Sequence, residues 1–325
     1  MPLARAAILL ALLFATSLSA PPSNAWGCKG HETVALIAEK HLSPEAKEFV
    51  LTLLKENPID PNLKRYCGSA VNDPMGDAST WPDDIRNERH NTGPWHYIDI
   101  PRGTPRPADG GSLAPYCGDA GCVTEALTAQ IAILKDKSAD SAKRAEALRY
   151  IIHFVGDLHQ PLHSTTNDDE GGNCMPLKFF RRKPRERNHG FSPNLHNVWD
   201  SAILERDAEG ADSHEYADRL DETYAASIEQ WQKSVIHIED WVWESHAYAE
   251  RNVYDPLTPK VAIEKPTPVH ACTDDNNIGA RLLDEHITIA DPYQTQAAPI
   301  VERQLTIAGI RLALILNSAA TQPAN

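Results

Sequence analysis

Two histidine–aspartate pairs, each spaced by four residues, are the strongest chemical signal in this sequence. His153 with Asp157 forms one pair, and His196 with Asp200 forms the other. On a helix, side chains four positions apart project from the same face, so each pair can coordinate one ion. Imidazole and carboxylate ligands without a thiolate suit Zn²⁺ in an open, catalytic site. A single pair also occurs as a capping or surface hydrogen bond, but two pairs so close together favour metal binding.

Further donors of the same two types lie outside these pairs, at His31, Asp83, His96 and His163. His163 follows Pro161, which must end the helix of the first pair, so His163 lies where the chain turns away. The shared chemistry of these residues indicates that folding gathers several imidazoles and carboxylates into one site.

Helical periodicity dominates the chain around these donors, and strand alternation is scarce. Apolar residues recur at helical spacing in eight segments: 31–41, 44–55, 123–135, 142–157, 194–204, 214–234, 238–253 and 299–318. Ser43 and Ser141 are good N-cap residues for the second and fourth segments. Segments 101–115, 167–173 and 181–188 are rich in proline, glycine or polar residues and are predicted to be surface loops. The sequence therefore predicts an all-α helical bundle.

The first 25 residues have the composition of a secretory signal peptide. Arg5 precedes an apolar run, and the small residue Ala25 precedes Trp26, where we expect the mature chain to begin. The apolar run is too short for a spanning helix, so we expect no membrane anchor and a secreted or periplasmic location. No linker divides residues 26–325, and we expect them to form a single domain and a monomer.

All six cysteines lie after the predicted signal peptide, and an even number in a secreted chain favours disulfides. None has the CxxC spacing of a thiolate zinc site. Cys117 and Cys122 flank a Gly-Asp-Ala-Gly turn, so we predict that these two residues form a disulfide. The sequence leaves the pairing of the other four cysteines open: Cys28, Cys67, Cys174 and Cys272.

The chain is acidic, with 31 Lys or Arg residues, 45 Asp or Glu residues and a net charge of −14. Proteins that bind polyanions normally neutralise phosphates with Lys and Arg, so such a function here needs a local source of positive charge. Bound divalent ions would supply it. An acidic surface that keeps a secreted protein soluble is the alternative explanation. Segment 178–187 concentrates six Lys or Arg residues, and either a guide for substrate or a solvated loop fits this composition.

The motifs around the candidate ligands resemble those of the zinc-dependent single-strand nucleases of fungi and plants, distant relatives of the bacterial zinc phospholipases C. The motifs are Trp26-Gly-Cys-Lys-Gly-His31, Trp81-Pro-Asp-Asp-Ile-Arg86, Trp95-His-Tyr-Ile-Asp99, His153-Phe-Val-Gly-Asp-Leu-His-Gln-Pro-Leu-His163 and Asn194-Leu-His-Asn-Val-Trp-Asp200. They occur in the order found in that family. The resemblance implies an all-α fold around a trinuclear zinc site.

The resemblance also implies how three zinc ions would be held. The first ion would be bound by Asp83, His96, His153 and Asp157. The second would be bound by His163, His196 and Asp200. The third would be bound by the α-amine and carbonyl oxygen of Trp26, by His31 and by Asp157. Asp157 would therefore bridge two ions, and the amine ligand would exist only after the leader is removed.

The same resemblance gives Asp83 a second role and assigns roles to three further residues. Asp83 would orient the attacking water as well as bind zinc, and Arg86 would clamp the phosphoryl group. Tyr97, which stands where fungal members have phenylalanine, would stack on a base, and Asp99 would read the edge of that base. Stacking of this kind needs an unpaired base, which implies a preference for single strands. The implied substrates are single-stranded DNA and RNA and nucleoside 3′-phosphates, with 5′-phosphate products.

Two rival functions share these motifs. A phospholipase C would use the same ions on a lipid phosphodiester, but those enzymes typically have glutamate where this chain has Asp200. A non-catalytic zinc-binding or structural protein is the second rival, although it would not need an amine ligand or a bridging carboxylate. The sequence therefore favours a single-strand endonuclease.

Overall fold

The structure is a computed structural model that describes residues 26–67, 71–86, 88–108, 110–187, 190–264, 272, 282 and 287–321. The predicted signal peptide, residues 1–25, lies outside the described residues.

Helices make up most of the described chain, as the sequence predicts. They are α1 (Cys28–Lys40), α2 (Pro44–Glu56), α3 (Pro74–Ser79), α4 (Trp81–Ile85), α5 (Val123–Lys135), α6 (Ser141–Leu158), α7 (Leu195–Asn197), α8 (Ile203–Ala208), α9 (Ser213–Thr223), α10 (Ala225–Trp231), α11 (Ile238–Tyr248) and α12 (Asp291–Ala320). Short 3₁₀ helices span His90–His96, Ala114–Tyr116, Pro161–Ser164 and Asp255–Leu257, and π-helical turns span Val198–Ala202 and Ala249–Tyr254.

Within the described residues, four short strands form two small sheets. They are β1 (Lys178–Phe179), β2 (Arg185–Arg187), β3 (Gly190–Ser192) and β4 (Thr288–Ile289). β1 pairs with β4 in parallel, and β2 pairs with β3 in an antiparallel hairpin. Part of the segment predicted as a loop at 181–188 is therefore a strand, because its backbone pairs with β3.

Helix α6 lies at the centre of the core, packed against α1, α2, α3, α5 and α12. Nearly all of its side chains from Ala145 to Leu158 are buried. Helix α12 crosses α1 closely at Gly309, where a Cβ would lie 2.6 Å from Cγ2 of Ile37. This packing fixes α6, and with it the first His–Asp pair, between the other helices.

Several helix boundaries differ from those that the sequence predicts. The side chain of Ser43 caps α2 as predicted, but α6 is capped by Asp140, so the prediction of Ser141 as its N-cap is wrong. The predicted helix 214–234 is broken at Tyr224 into α9 and α10. The predicted helix 299–318 begins earlier, at Asp291, where Pro292 suits the first turn; Pro299, the predicted start, lies inside the helix.

Three disulfides link the described cysteines. Cys117 is bonded to Cys122, the pair that the sequence favours. The two pairings that the sequence left open are Cys28–Cys67 and Cys174–Cys272. No helix among the described residues is both long and apolar enough to span a membrane.

Candidate metal centre

His153 and Asp157 lie on one face of α6, in the middle of the protein. Both side chains are fully buried, and Nε2 of His153 is 3.2 Å from Oδ2 of Asp157. The four-residue spacing produces this contact directly, since one helical turn separates the two side chains. The other candidate ligands surround this pair.

The short helix α4 and the 3₁₀ helix His90–His96 bring two more ligands to the pair. Nδ1 of His96 lies 3.1 Å from Oδ2 of Asp157 and 2.9 Å from Nε2 of His153. Oδ1 of Asp83 lies 3.8 Å from the same nitrogens of both imidazoles. These four side chains converge on one point.

A second group of ligands lies on the other side of Asp157. Nε2 of His196 is 3.2 Å from Oδ2 of Asp200 and 3.1 Å from Nε2 of His163. His163 lies on the 3₁₀ helix that follows Pro161, and Asp200 lies on the π-helical turn Val198–Ala202. All three side chains are buried.

The first described residues complete the cluster. Nε2 of His31 is 3.4 Å from Oδ1 of Asp157, and its ring stacks on that of His153 at 3.9 Å. Gly156 permits this approach, because a Cβ there would lie 2.9 Å from Nδ1 of His31. Trp26 is fully buried, and the next residue, Gly27, donates its N–H to the carbonyl of Asp200 at 2.8 Å. The cluster thus contains eight of the predicted ligand side chains, with Trp26 beside them.

Hydrogen bonds to backbone carbonyls orient three of the imidazoles. Nδ1–H of His153 donates to the carbonyl of Ser79 at 2.6 Å. Nδ1–H of His163 donates to the carbonyl of His96 at 2.7 Å. Nδ1–H of His196 donates to the carbonyl of Gly171 at 2.7 Å. These bonds leave the Nε2 atoms facing the cluster, the arrangement usual for metal-binding histidines. Backbone carbonyls carry no side-chain signal, so the sequence could not reveal them.

Gln160 is a supporting residue that sequence reasoning missed. Its side chain is fully buried, and its Nε2 donates to Oδ1 of Asp200 at 2.5 Å. Its Oε1 accepts from the backbone N–H of Leu162 at 2.6 Å, which fixes the orientation of the amide. Gln160 lies within the His153–His163 motif, so its position in the sequence pointed to the site. A glutamine side chain, however, does not suggest a metal ligand.

The unsatisfied atoms of the cluster fit divalent ions. Buried atoms without a hydrogen bond include both ring nitrogens of His31, Oδ1 of Asp83, Oδ1 of Asp157 and Oδ2 of Asp200. Ligands about 2.0–2.1 Å from a tetrahedral zinc lie about 3.3 Å apart. The 2.9–3.8 Å separations between donor atoms bracket this value. Buried polar groups of this kind require a partner, and an ion satisfies several at once.

Burial also sets the charges of the cluster. It lowers the pKa of three imidazoles, His31, His96 and His163, which favours the neutral form that binds metals. Burial raises the pKa of Asp157 to about 6 and that of Asp200 well above its usual range. For His153, burial opposes the charged form, but the carboxylates of Asp157 and Asp83 outweigh it and raise the pKa to about 9. A bound cation would stabilise these buried carboxylates.

Arg86 lies at the edge of the cluster, and Tyr97 and Asp99 lie on the chain that follows the cluster residue His96. Nη1 of Arg86 is 3.5 Å from Oδ1 of Asp83, and its side chain is 11% exposed. Tyr97 follows His96 directly and is half-buried, whereas the side chain of Asp99 is exposed. Surrounding protein and the charges of Asp169 and Glu170 nevertheless raise the pKa of Asp99 to about 6.

The fold and the cluster together define a helical protein that can hold several divalent ions beside an arginine. Comparison with known proteins agrees with this class. The sequence model of the S1/P1 Nuclease family matches residues 26–321, which is most of the chain. The chain belongs to the S1/P1 nuclease family. It is therefore a hydrolase that acts on phosphodiester bonds, and the phospholipase C alternative is not favoured.

Individual relatives cover nearly the whole chain. Endonuclease 4 of Arabidopsis thaliana is 29% identical over an alignment of 316 residues that covers 90% of this chain and 88% of the relative. Nuclease S1 of Aspergillus oryzae is 26% identical over 325 residues, covering 97% of this chain and 99% of the relative. Nuclease P1 of Penicillium citrinum is 27% identical over 300 residues, covering 90% and 97%.

Proposed function

We propose that the mature chain is a secreted endonuclease that uses three zinc ions to cleave single-stranded DNA and RNA, leaving 5′-phosphate ends. The observation that carries the proposal is the position of Asp157, whose two carboxylate oxygens face imidazoles on different sides. Oδ2 lies 3.1 Å from His96, and Oδ1 lies 3.4 Å from His31. One carboxylate can therefore serve two ions.

We assign the ligands of the three ions as the resemblance to the nuclease family implies, and the proximity of the donor side chains supports this assignment. Asp83, His96, His153 and Asp157 would hold the first ion. His163, His196 and Asp200 would hold the second. The amine and carbonyl of Trp26, with His31 and Asp157, would hold the third. Bound zinc ions supply Lewis acidity and lower the pKa of a coordinated water towards neutrality.

Two residues would act directly on the reacting groups. The carboxylate of Asp83 orients the attacking water through a hydrogen bond while it binds the first ion. The guanidinium of Arg86, held beside Asp83 at 3.5 Å, donates hydrogen bonds to the phosphoryl oxygens, where negative charge accumulates. Because Arg86 remains partly exposed, it can reach a substrate phosphate.

Tyr97 and Asp99 would select an unpaired base. The ring of Tyr97 is half-buried, so one part of it is available for stacking. Base–aromatic stacking requires that the base leave a duplex, which favours single strands. The accessible carboxylate of Asp99 accepts hydrogen bonds from amino or imino groups at the edge of that base. The same contacts suit nucleoside 3′-phosphates as small substrates.

Processing of the leader would complete the site. Removal of residues 1–25 creates the α-amine of Trp26, and the Gly27–Asp200 hydrogen bond keeps that end of the chain at the cluster. The three disulfides suit an oxidising location, either the periplasm or the medium. The mature residues would act as one domain and as a monomer.

Digestion of matched substrates tests this function. Purified mature protein should release nucleotides with 5′-phosphate ends from single-stranded DNA and RNA, and should act much more slowly on duplexes of the same sequence. It should also release phosphate from nucleoside 3′-phosphates. Release of phosphocholine from phosphatidylcholine without any nucleotide release would overturn the nuclease proposal.

A further inference from the structure

Residues 178–187, hereafter the basic arm, concentrate positive charge on an acidic protein. The basic arm contains six Lys or Arg residues and one glutamate, a net charge of +5, whereas the whole chain carries −14. A single-stranded polyanion would be repelled by most of the remaining surface. The position and the pairing of these cations therefore decide whether they can bind such a polymer.

Four cations of the basic arm are exposed: Arg181, Arg182, Lys183 and Arg185. Within the part of the chain that the structure describes, none of the four forms an ion pair. Cations elsewhere are commonly paired, as Lys47 is with Glu39 at 2.9 Å and Arg219 is with Asp207 at 3.1 Å. Unpaired cations are available to phosphates without first breaking an internal contact.

The basic arm is attached firmly to the protein core. Phe179 and Phe191, on strands β1 and β3, are each only 6% exposed. Arg185 on β2 is paired with Ser192 on β3. Just before the basic arm, Cys174 is bonded to Cys272. The charged side chains are thus presented on an anchored backbone, so binding costs less conformational entropy than binding by a loose tail.

The basic arm also lies close to the metal centre. The strand β3, which pairs with the arm, ends at Ser192, four residues before His196. Four residues of extended chain span at most about 14 Å. The chain before the arm runs beside the same segment, since Leu195 donates its N–H to the carbonyl of Met175 at 2.9 Å. A polymer bound at the cluster would pass within reach of the arm.

We infer that the basic arm binds backbone phosphates of a single-stranded substrate on one side of the bond that is cut. This inference rests on the proposed function and assigns the arm to the polymer, not to the reacting phosphate. The arm raises the affinity for long strands, whereas substrates of one nucleotide do not reach it.

A charge-neutralised variant tests this inference. R181Q/R182Q/K183Q/R185Q should raise KM for a long single-stranded oligonucleotide at low salt, with unchanged kinetics on a nucleoside 3′-phosphate. Each phosphate contact on a single strand contributes about 0.7 to the salt slope, so four contacts contribute about 2.8, or about 50-fold over a fourfold rise in salt. The variant should lose this part of the salt dependence.

Two control variants show whether the effect depends on where the cations lie and on their charge, or on a change in folding. K47Q/K55Q/K143Q/K233Q removes four exposed cations elsewhere and should leave the salt slope for the oligonucleotide close to that of the wild type. R181K/R182K/R185K retains the charge of the arm and should retain the low KM. If both neutralised variants change the slope equally, the effect is one of net charge and the inference is wrong.

Further outcomes distinguish the possible failures. If the arm variant also loses activity on the nucleoside 3′-phosphate, the single substitutions R182Q and R185Q replace it, and each should lower the slope by about 0.7. Unchanged oligonucleotide kinetics with lost binding to phosphatidylserine vesicles would assign the arm to membranes and overturn the inference. If the wild type cleaves no single strand at all, the proposed function itself fails.

Discussion

Replacing Asp157 with asparagine is the sharpest test of the bridging role. Asparagine keeps the volume of the side chain, so the buried site on α6 should not collapse. The variant loses the negative charge that faces His96 at 3.1 Å and His31 at 3.4 Å. We expect it to retain only the ion held by the second group of ligands, which does not include this residue.

The magnitude follows from the burial of the carboxylate. A unit charge about 4 Å from another interacts by about 4 kcal/mol at an effective dielectric constant of about 20. A divalent ion in direct contact with the carboxylate interacts more strongly. The dissociation constants of both bridged ions should therefore rise by at least about a thousandfold.

Elemental analysis after dialysis measures this directly. Wild-type protein should contain three zinc ions per chain, and Asp157→Asn should contain one. Asp136→Asn, at an exposed position after α5, serves as the matched control and should retain three. Retention of three ions by Asp157→Asn, or loss of a single ion, would refute the bridging role.

Three other predictions concern the remainder of the site. A protein with one extra residue before Trp26 should contain two zinc ions and show reduced activity, because the amine is displaced; full zinc content and full activity would count against the amine ligand. Tyr97→Ala should raise KM for single-stranded substrates at constant zinc content, while Tyr97→Phe should keep the wild-type KM; equal kinetics for all three proteins would remove Tyr97 from the site. Gln160→Ala should weaken the ion bound by Asp200 by about 10–100-fold, because the carboxylate loses the amide that orients it; titration with a fluorescent zinc chelator measures this change, and an unaltered affinity would show that the amide has no positioning role.

Local sequence was sufficient to predict a contact where one secondary-structure element supplies both of its residues. The His153–Asp157 contact follows from helical spacing alone, and the predicted helix 142–157 differs from α6 by only one residue at each end. The second pair was also recognised from its spacing. Its contact of 3.2 Å is preserved although Asp200 lies on a π-helical turn that the periodicity did not indicate.

Sequence spacing was insufficient to predict a contact between residues that come from distant segments. Nothing in the periodicity brings His31 against Asp157, and only the resemblance to a nuclease family suggested that contact. The small side chain of Gly156 permits it, and this requirement is visible only in three dimensions. Likewise, the Cys28–Cys67 pairing depends on how the chain after α2 returns to the start of α1.

Anomalous diffraction at the zinc absorption edge, from crystals of the mature protein, tests the central claim most directly. We predict three peaks within the buried cluster. One peak should lie between Asp83, His96 and His153, one between His163, His196 and Asp200, and one between Trp26, His31 and Asp157. A single peak, or peaks outside the cluster, would contradict the trinuclear site and the nuclease mechanism built on it.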